Sequence, residues 1–183
     1  MRIIAGSAGG RPLKAPPDGL RPTMDRVRGA VFSSLGDLVP DARVLDLFAG
    51  SGGMGIEALS RGANEAVFVD SNERCVRCIR ENLRMAQVDA VVQAMDAFRF
   101  IDLYAGDNAF DIVFADPPYA KKPTDTDHAT TLASSEKLAA ALKPGGLFVL
   151  EKQRGGPAMP ETVFQLVRAK RYGGSEILYF ARR

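Results

Sequence analysis

From residue 43 onward, short apolar runs alternate with longer runs of helical pattern. "RVLDLF", "EAVFVD", "AVVQAM", "FDIVFA" and "GLFVLEK" have strand length, and between them stand "GMGIEALSRGA", "NERCVRCIRENLRMAQ", "AFRFIDLY" and "HATTLASSEKLAAAL". Nearly continuous apolar strands are buried on both faces, and a helix after each strand provides the cover. This pattern predicts βαβ units and an α/β fold with a mostly parallel sheet. The end of the chain departs from it. "ETVFQLVRAKRY" and "SEILYFARR" flank "GG", which predicts two strands joined by a tight turn and an antiparallel finish to the sheet.

The 183 residues suit one domain, spanning 1–183. Residues 1–36 read as an extension and 43–183 as the alternating core. The extension is rich in Gly and Pro, with short apolar steps at Ile3-Ile4 and Leu13, and predicts a small hairpin and an irregular arm. It leads into a helix over "RPTMDRVRGAVFSSLGDL", where Thr23 is the expected N-cap and Met24, Val27, Val31 and Leu35 share a face. No apolar run approaches the ~20 residues that span a bilayer. The N-terminus lacks the apolar core of a signal peptide, so cytoplasmic residence is expected. Monomer is the expectation from size.

Net charge is only +2, but it is unevenly spread. Residues 1–30 and 151–183 each carry +4, and the stretch between them carries −6. Basic ends brought together would offer a surface to a polyanion. Cys75 and Cys78 form a C-x-x-C step within a predicted helix, and His128 is the lone histidine. A four-ligand zinc site cannot be assembled from these within one chain, so reduced thiols and no metal are expected.

"VLDLFAGSGGMGIEAL" holds G-x-G-x-x-G at Gly50, Gly52 and Gly55, between a predicted strand and a predicted helix. That context suits a nucleotide-type loop, in which bare backbone and free helix N–H groups approach a ligand. Asp70 ends the next strand 20 residues after Gly50, the spacing of an acid that binds ribose hydroxyls. A dinucleotide remains open. Asp46 argues against it, because a carboxylate facing a pyrophosphate is repelled while one facing an ammonium is not. S-adenosyl-L-methionine fits better. Asp46, Ala49, Gly50, Ser51, Gly52 and Gly55 would meet its amino-acid end, Asp70 and Ser71 its ribose, and Asp96 with Ala97 its adenine. A helix cap is the alternative role for Asp96.

"FADPPYAKK" follows the fourth strand and contains Asp116-Pro117-Pro118-Tyr119. Two prolines fix two φ angles and remove two donors. Such a rigid loop suits methylation of an aromatic exocyclic amine. Asp116 and the Pro117 carbonyl would accept its N–H groups, Pro118 would hold that carbonyl still, and Tyr119 would offer a face to an extruded base. In an open α/β sheet, ligands bind beside the carboxyl ends of the strands. Asp116 and the glycine loop should therefore share one crevice.

"DLFAGSGGMGIEALSRGA" (46–63), "DPPY" (116–119), "RIIAGSAGGRPLKAP" and "LRPTMDRVRGAVF" together resemble the RsmD-type bacterial 16S ribosomal RNA guanine-N2 methyltransferases. The resemblance implies a class I S-adenosylmethionine-dependent methyltransferase fold, Rossmann-like, with seven strands and an antiparallel last pair. It implies methylation of one guanine, guanine-966, of 16S rRNA in an assembled or assembling 30S subunit. Asp46, Gly50, Gly52 and Asp70 would bind cofactor, and Asp116 to Tyr119 would handle the guanine amine. Arg21, Thr23, Asp25, Arg26 and Arg28 would belong to the substrate side. Gly10 and Gly29 depart from the family pattern, which commonly has a basic residue and an acid there. DNA adenine-N6 methyltransferases, protein glutamine methyltransferases and, more remotely, nicotinamide-dependent oxidoreductases are the alternatives.

Overall fold

The structure is a computed structural model and describes residues 1–15, 25–120, 122, 124–160 and 163–183. Its frame is a seven-stranded sheet: β1 (Arg43–Leu47), β2 (Glu65–Asp70), β3 (Val91–Ala94), β4 (Phe110–Ala115), β5 (Leu142–Gln153), β6 (Phe164–Tyr172) and β7 (Ser175–Arg182). The order is β3-β2-β1-β4-β5-β7-β6. The first five strands run parallel, and β7 is antiparallel to both β5 and β6. The mostly parallel sheet and its antiparallel last pair agree with the sequence pattern.

Strand periodicity divides the core into two halves. Val44, Phe68, Ile112, Phe114 and Tyr179 pack on one face beneath α1 (Asp25–Leu35), α2 (Gly53–Ser60) and α3 (Glu73–Ala86). Leu45, Val69, Val113, Phe148 and Phe180 pack on the other, with Phe100 of α4 (Ala97–Tyr104), Leu132 of α5 (His128–Ala133) and Leu138 of α6 (Glu136–Ala141). Val27, Val31 and Leu35 of α1 are buried, as their spacing predicts. The expected Thr23 cap lies outside the described residues. The one helix expected over "HATTLASSEKLAAAL" is two. Ser135 breaks it by capping α6, its side chain accepting from the Leu138 N–H at 3.2 Å. Among the described residues no helix is long and apolar enough to cross a membrane.

The N-terminal segment forms the expected hairpin, with an antiparallel bridge between Arg2 and Pro12. It is sewn onto α2 by Glu57, whose carboxylate accepts the Ile4 and Ala5 N–H groups at 2.8 and 3.1 Å. Gly6 passes so close to α2 that a Cβ there would lie 1.7 Å from the Ser60 carbonyl oxygen. Asn82 of α3 joins hairpin and glycine loop, accepting from the Lys14 N–H at 2.7 Å and donating to the Ser51 carbonyl at 2.9 Å.

Candidate active site at the carboxyl edge of the sheet

The chain runs outward from β1 through β2 to β3, then returns to the opposite side of β1 as β4. The reversal falls between β1 and β4, which run in register with Leu47 opposite Ala115. The glycine loop leaves β1 one residue later and Asp116 leaves β4 one residue later. The two motifs therefore emerge side by side at the switch point, where open α/β sheets bind ligands.

Two carboxylates brace the glycine loop. Asp46 Oδ2 accepts the Gly55 N–H at 2.9 Å, inside the first turn of α2. Asp70 Oδ2 accepts the Gly50 N–H at 2.8 Å, and its Oδ1 accepts the Asn72 N–H at 2.8 Å. Gly52 caps α2 in the left-handed region, φ 77°, and a Cβ there would press on Phe68, Ile56 and Ile79. A Cβ on Gly55 would lie 2.4 Å from the Phe68 ring, so this glycine permits the helix to pack on β2. Ala49 donates its N–H to the Val69 carbonyl at 3.2 Å, and Ser51 is buried. The loop is thus a fixed cradle.

Asp46 is only 3% exposed. Burial, and secondarily the charge of Asp70, push its pKa up to about 7, against the opposing pull of the Gly55 N–H. Asp116 titrates well above the usual carboxylate range, through burial and then the charges of Glu151 and Asp46. Four carboxylates, Asp46, Asp70, Asp116 and Glu151, thus gather at the ends of adjacent strands. The arrangement favours a cationic occupant and disfavours an anionic one. Among the described residues no group of three or more His, Cys, Asp and Glu is arranged to hold a metal.

Asp96 takes its capping role here: its Oδ1 accepts the Arg99 N–H at 3.0 Å at the start of α4. It stays close to the cradle, because the Met95 N–H donates to the Asp70 carbonyl at 3.1 Å. Ser71 is exposed after β2, and Ala97 is buried at the start of α4. Tyr119 is exposed, but its hydroxyl is tied to Glu151 Oε1 at 3.3 Å and to Ser175 Oγ at 3.1 Å. Burial pushes that phenol up to about 12, so it remains a donor at any working pH.

The candidate substrate-side residues divide. Arg21 and Thr23 lie outside the described residues. Arg26 is exposed on α1, and Asp25 is partly so. Arg28 turns inward instead, 1% exposed, pairing with Asp25 at 2.9 Å and Glu57 at 3.6 Å and donating to the Arg2 carbonyl. In this arrangement it fastens the hairpin to α2 rather than facing solvent.

The basic C-terminal segment packs against α1, the helix that begins within the basic N-terminal segment. Lys170 of β6 donates to Ser34 Oγ of α1 at 2.8 Å, and Arg168 donates to the Ser34 carbonyl at 3.5 Å. Cys75 and Cys78 are buried and free, and burial with Asp70 nearby pushes the Cys75 thiol up to about 11. A cavity of about 530 Å³ lies at the opposite end of α3 from Asp70, lined by Arg80, Arg84, Gln87 and Val88 among others, and takes in none of the motif residues.

Sequence reasoning did not single out Glu151, Ser175, Glu57 or Asn82. It also missed a trio of partly exposed rings beside Asp96: Phe98 lies 6.1 Å from Phe48 and 5.4 Å from His128. Only the aromatic residue following Asp96-Ala97 was visible as a hint.

Comparison with known proteins agrees with this geometry. Residues 1–181 match the family described as "Conserved hypothetical protein 95". The Bacillus subtilis protein named "Putative rRNA methyltransferase YlbH" is 36% identical, covering 100% of both chains. The Haemophilus influenzae "Ribosomal RNA small subunit methyltransferase D" is 32% identical, covering 94% of this chain and 89% of its own. The solved hypothetical protein TTHA0928 from Thermus thermophilus superposes with TM-score 0.81 at 33% identity, covering 99% of both chains. More distantly, SMU.776, solved complexed with SAH, shares the fold with TM-score 0.71 at 14% identity over 89% of this chain and 51% of its own. With its class I methyltransferase fold and a family match over nearly its whole length, this chain belongs to the RsmD family.

Proposed function

We propose that this protein methylates ribosomal RNA of the small subunit, and that its target is the exocyclic N2 amine of a guanine, guanine-966 by family resemblance, with S-adenosyl-L-methionine as donor. The observation that carries this reading is the meeting of the glycine cradle and the Asp116–Tyr119 loop at the β1/β4 switch point, ringed by four carboxylates. The donor set fits the cofactor. Its ammonium and sulfonium suit the acids, and its ribose hydroxyls suit Asp70, whose oxygens keep lone pairs beyond the two backbone N–H groups they accept. Asp96, Ala97 and the Phe48–Phe98 rings offer the adenine an edge and a flat surface. When bound, the cofactor supplies an electrophilic methyl group.

The remaining work falls to the protein's own residues. An exocyclic aromatic amine is a weak nucleophile because its lone pair is delocalised into the ring. Asp116 and the Pro117 carbonyl accept its N–H groups and turn the lone pair toward the methyl. The high proton affinity of Asp116 suits it to take the proton that the nitrogen gives up. It must be ionised to do so, and a cation seated among Asp46, Asp70 and Asp116 favours that form. The Tyr119 ring supports the extruded base. Arg168 and Lys170, where β6 meets α1, and Arg26, exposed in the first turn of α1, would take the phosphates, with Arg21 and Thr23 in the segment preceding α1. The substrate places this activity in the cytoplasm, carried by a monomer with residues 1–36 as the substrate-side part of one domain.

The decisive experiment is transfer of labelled methyl to small subunits lacking the modification, followed by mapping of the nucleoside. N2-methylguanosine at one site is expected; label in DNA adenine or protein glutamine overturns the substrate. Asp116→Ala should cost at least ~10³-fold in turnover with affinity for S-adenosylhomocysteine nearly unchanged. Calorimetric binding of NAD without binding of S-adenosylhomocysteine would end the methyltransferase reading.

A further inference from the structure

Tyr119 is held by its far end. Its ring is exposed, yet the hydroxyl reaches Glu151 Oε1 on β5 at 3.3 Å and Ser175 Oγ on β7 at 3.1 Å. These anchors come from two different strands. β4 and β5 run in register with Ala115 opposite Leu150, so Glu151 stands level with Asp116. β7 begins at Ser175, immediately after the Gly173-Gly174 turn, and this turn is fixed to the end of β5 by the Arg154 N–H donating to the Gly174 carbonyl at 2.9 Å. The antiparallel last strand, remote from the cofactor cradle, thus delivers a side chain to the Asp-Pro-Pro-Tyr loop.

We propose that Glu151 and Ser175 are positioning residues for methyl transfer: together they lock the Tyr119 ring where the extruded base must stack, and Glu151 also sets the charge beside Asp116. The inference rests on the amine-methylation reading above and extends it to β5 and β7. A ring pivoting about its side-chain bonds would carry the base with it, and a misplacement of about 1 Å at a reacting centre costs up to ~10²-fold in rate. Two hydrogen bonds at the far end of the ring remove that freedom. The second role follows from adjacency. The charged groups facing Asp116 are Glu151 from β5 and Asp46 from β1, with the Tyr119 phenol beside them. Both carboxylates favour the protonated form of Asp116. The Glu151 charge therefore raises the proton affinity of the group that accepts the amine proton.

The two roles separate by substitution. Tyr119→Phe keeps the ring and frees its end. It should lower kcat about 10-fold on undermethylated small subunits, with S-adenosylhomocysteine affinity unchanged. Glu151→Gln keeps an acceptor for the phenol but removes the charge, so the acid limb of the kcat/KM–pH profile should move to lower pH by at least about half a unit. Ser175→Ala combined with Tyr119→Phe should lose no more kcat than Tyr119→Phe alone, since the phenylalanine has already cut the one connection through which Ser175 acts. Full kcat in Tyr119→Phe, additive losses in the double variant, or an unmoved acid limb in Glu151→Gln each overturn the inference. If the wild-type protein itself transfers no methyl to RNA, the functional reading has failed instead, so the two failures are distinguishable.

Discussion

Asp46 offers the most direct quantitative test of the site's electrostatics. It is 3% exposed and its pKa is pushed from 3.8 to about 7. Below pH 4 the side chain is protonated in both folded and unfolded chains and costs nothing. As pH rises from about 4 to about 7, the unfolded chain releases this proton while the native protein keeps it. Stability therefore falls through that window and levels off above it. A displacement of about three pH units corresponds to about 4 kcal/mol. Asp46→Asn removes the titration yet keeps an oxygen to accept the Gly55 N–H. The stability difference between variant and wild type should grow by about 4 kcal/mol between pH 4 and pH 8, in favour of the variant. For a chain of this size that is roughly 10 °C in Tm. Urea unfolding of both proteins across pH measures it, and using the difference cancels the titration of every group that does not interact with Asp46. The same variant should bind S-adenosylhomocysteine at least 10-fold more weakly, because the ammonium loses its counter-charge. A pH-independent difference would refute the burial argument, and unchanged ligand affinity would remove Asp46 from the cofactor set.

Three other outcomes can be checked independently. Glu57→Gln leaves Arg28 only the partly exposed Asp25 carboxylate and weakens the acceptor of the Ile4 and Ala5 N–H groups, so unfolding free energy should drop by about 3 kcal/mol at neutral pH. Gly55→Ala places a methyl group 2.4 Å from the Phe68 ring; α2 must shift away from β2, and calorimetry should find S-adenosylhomocysteine affinity reduced at least 10-fold. Arg168→Ala and Lys170→Ala should each raise the KM for small subunits and flatten the salt dependence of RNA binding by about 0.7–0.9 in log–log slope, leaving cofactor affinity alone.

The strands were legible in the sequence because both faces of each central strand are buried, which leaves an uninterrupted apolar run. The switch point followed from those strands and the two motifs that end them. Side-chain direction was harder to foresee. A carboxylate just before the glycine loop suggests a side chain turned toward a ligand, and Asp46 does sit at the cradle. Its nearest demand, however, is a free N–H in the first turn of α2, and an acceptor that close takes the bond. Asp96 is the same case at α4. The break at Ser134-Ser135 leaves little mark in the sequence because serine is tolerable within a helix and shows its preference for capping only when a new helix starts beside it. Tyr119 could not reveal its partners at all, since Glu151 and Ser175 lie 32 and 56 residues away and reach it only through sheet order. Arg28 looked like a surface arginine until Glu57 supplied a buried counter-charge from another helix.

The uneven charge of the sequence acquires a physical meaning in this sheet order. The parallel strands β2, β1, β4 and β5 bring Asp70, Asp46, Asp116 and Glu151 to one rim, whereas the basic strand β6 is at the sheet edge beside α1. On the proposed function the two ligands have opposite needs: the cofactor presents cations and the RNA a polyanion. A basic rim would invite phosphate into the cradle and compete with the cofactor. An acidic edge would repel the substrate. Interior acids with peripheral bases allow both to bind at once, and the repulsion between phosphate and rim leaves the uncharged base as the part of the RNA best able to enter. Selection of a flipped base over its backbone can thus arise from the field of the site before any base-specific contact forms. Neutralising the rim one carboxylate at a time should therefore increase inhibition by inorganic phosphate.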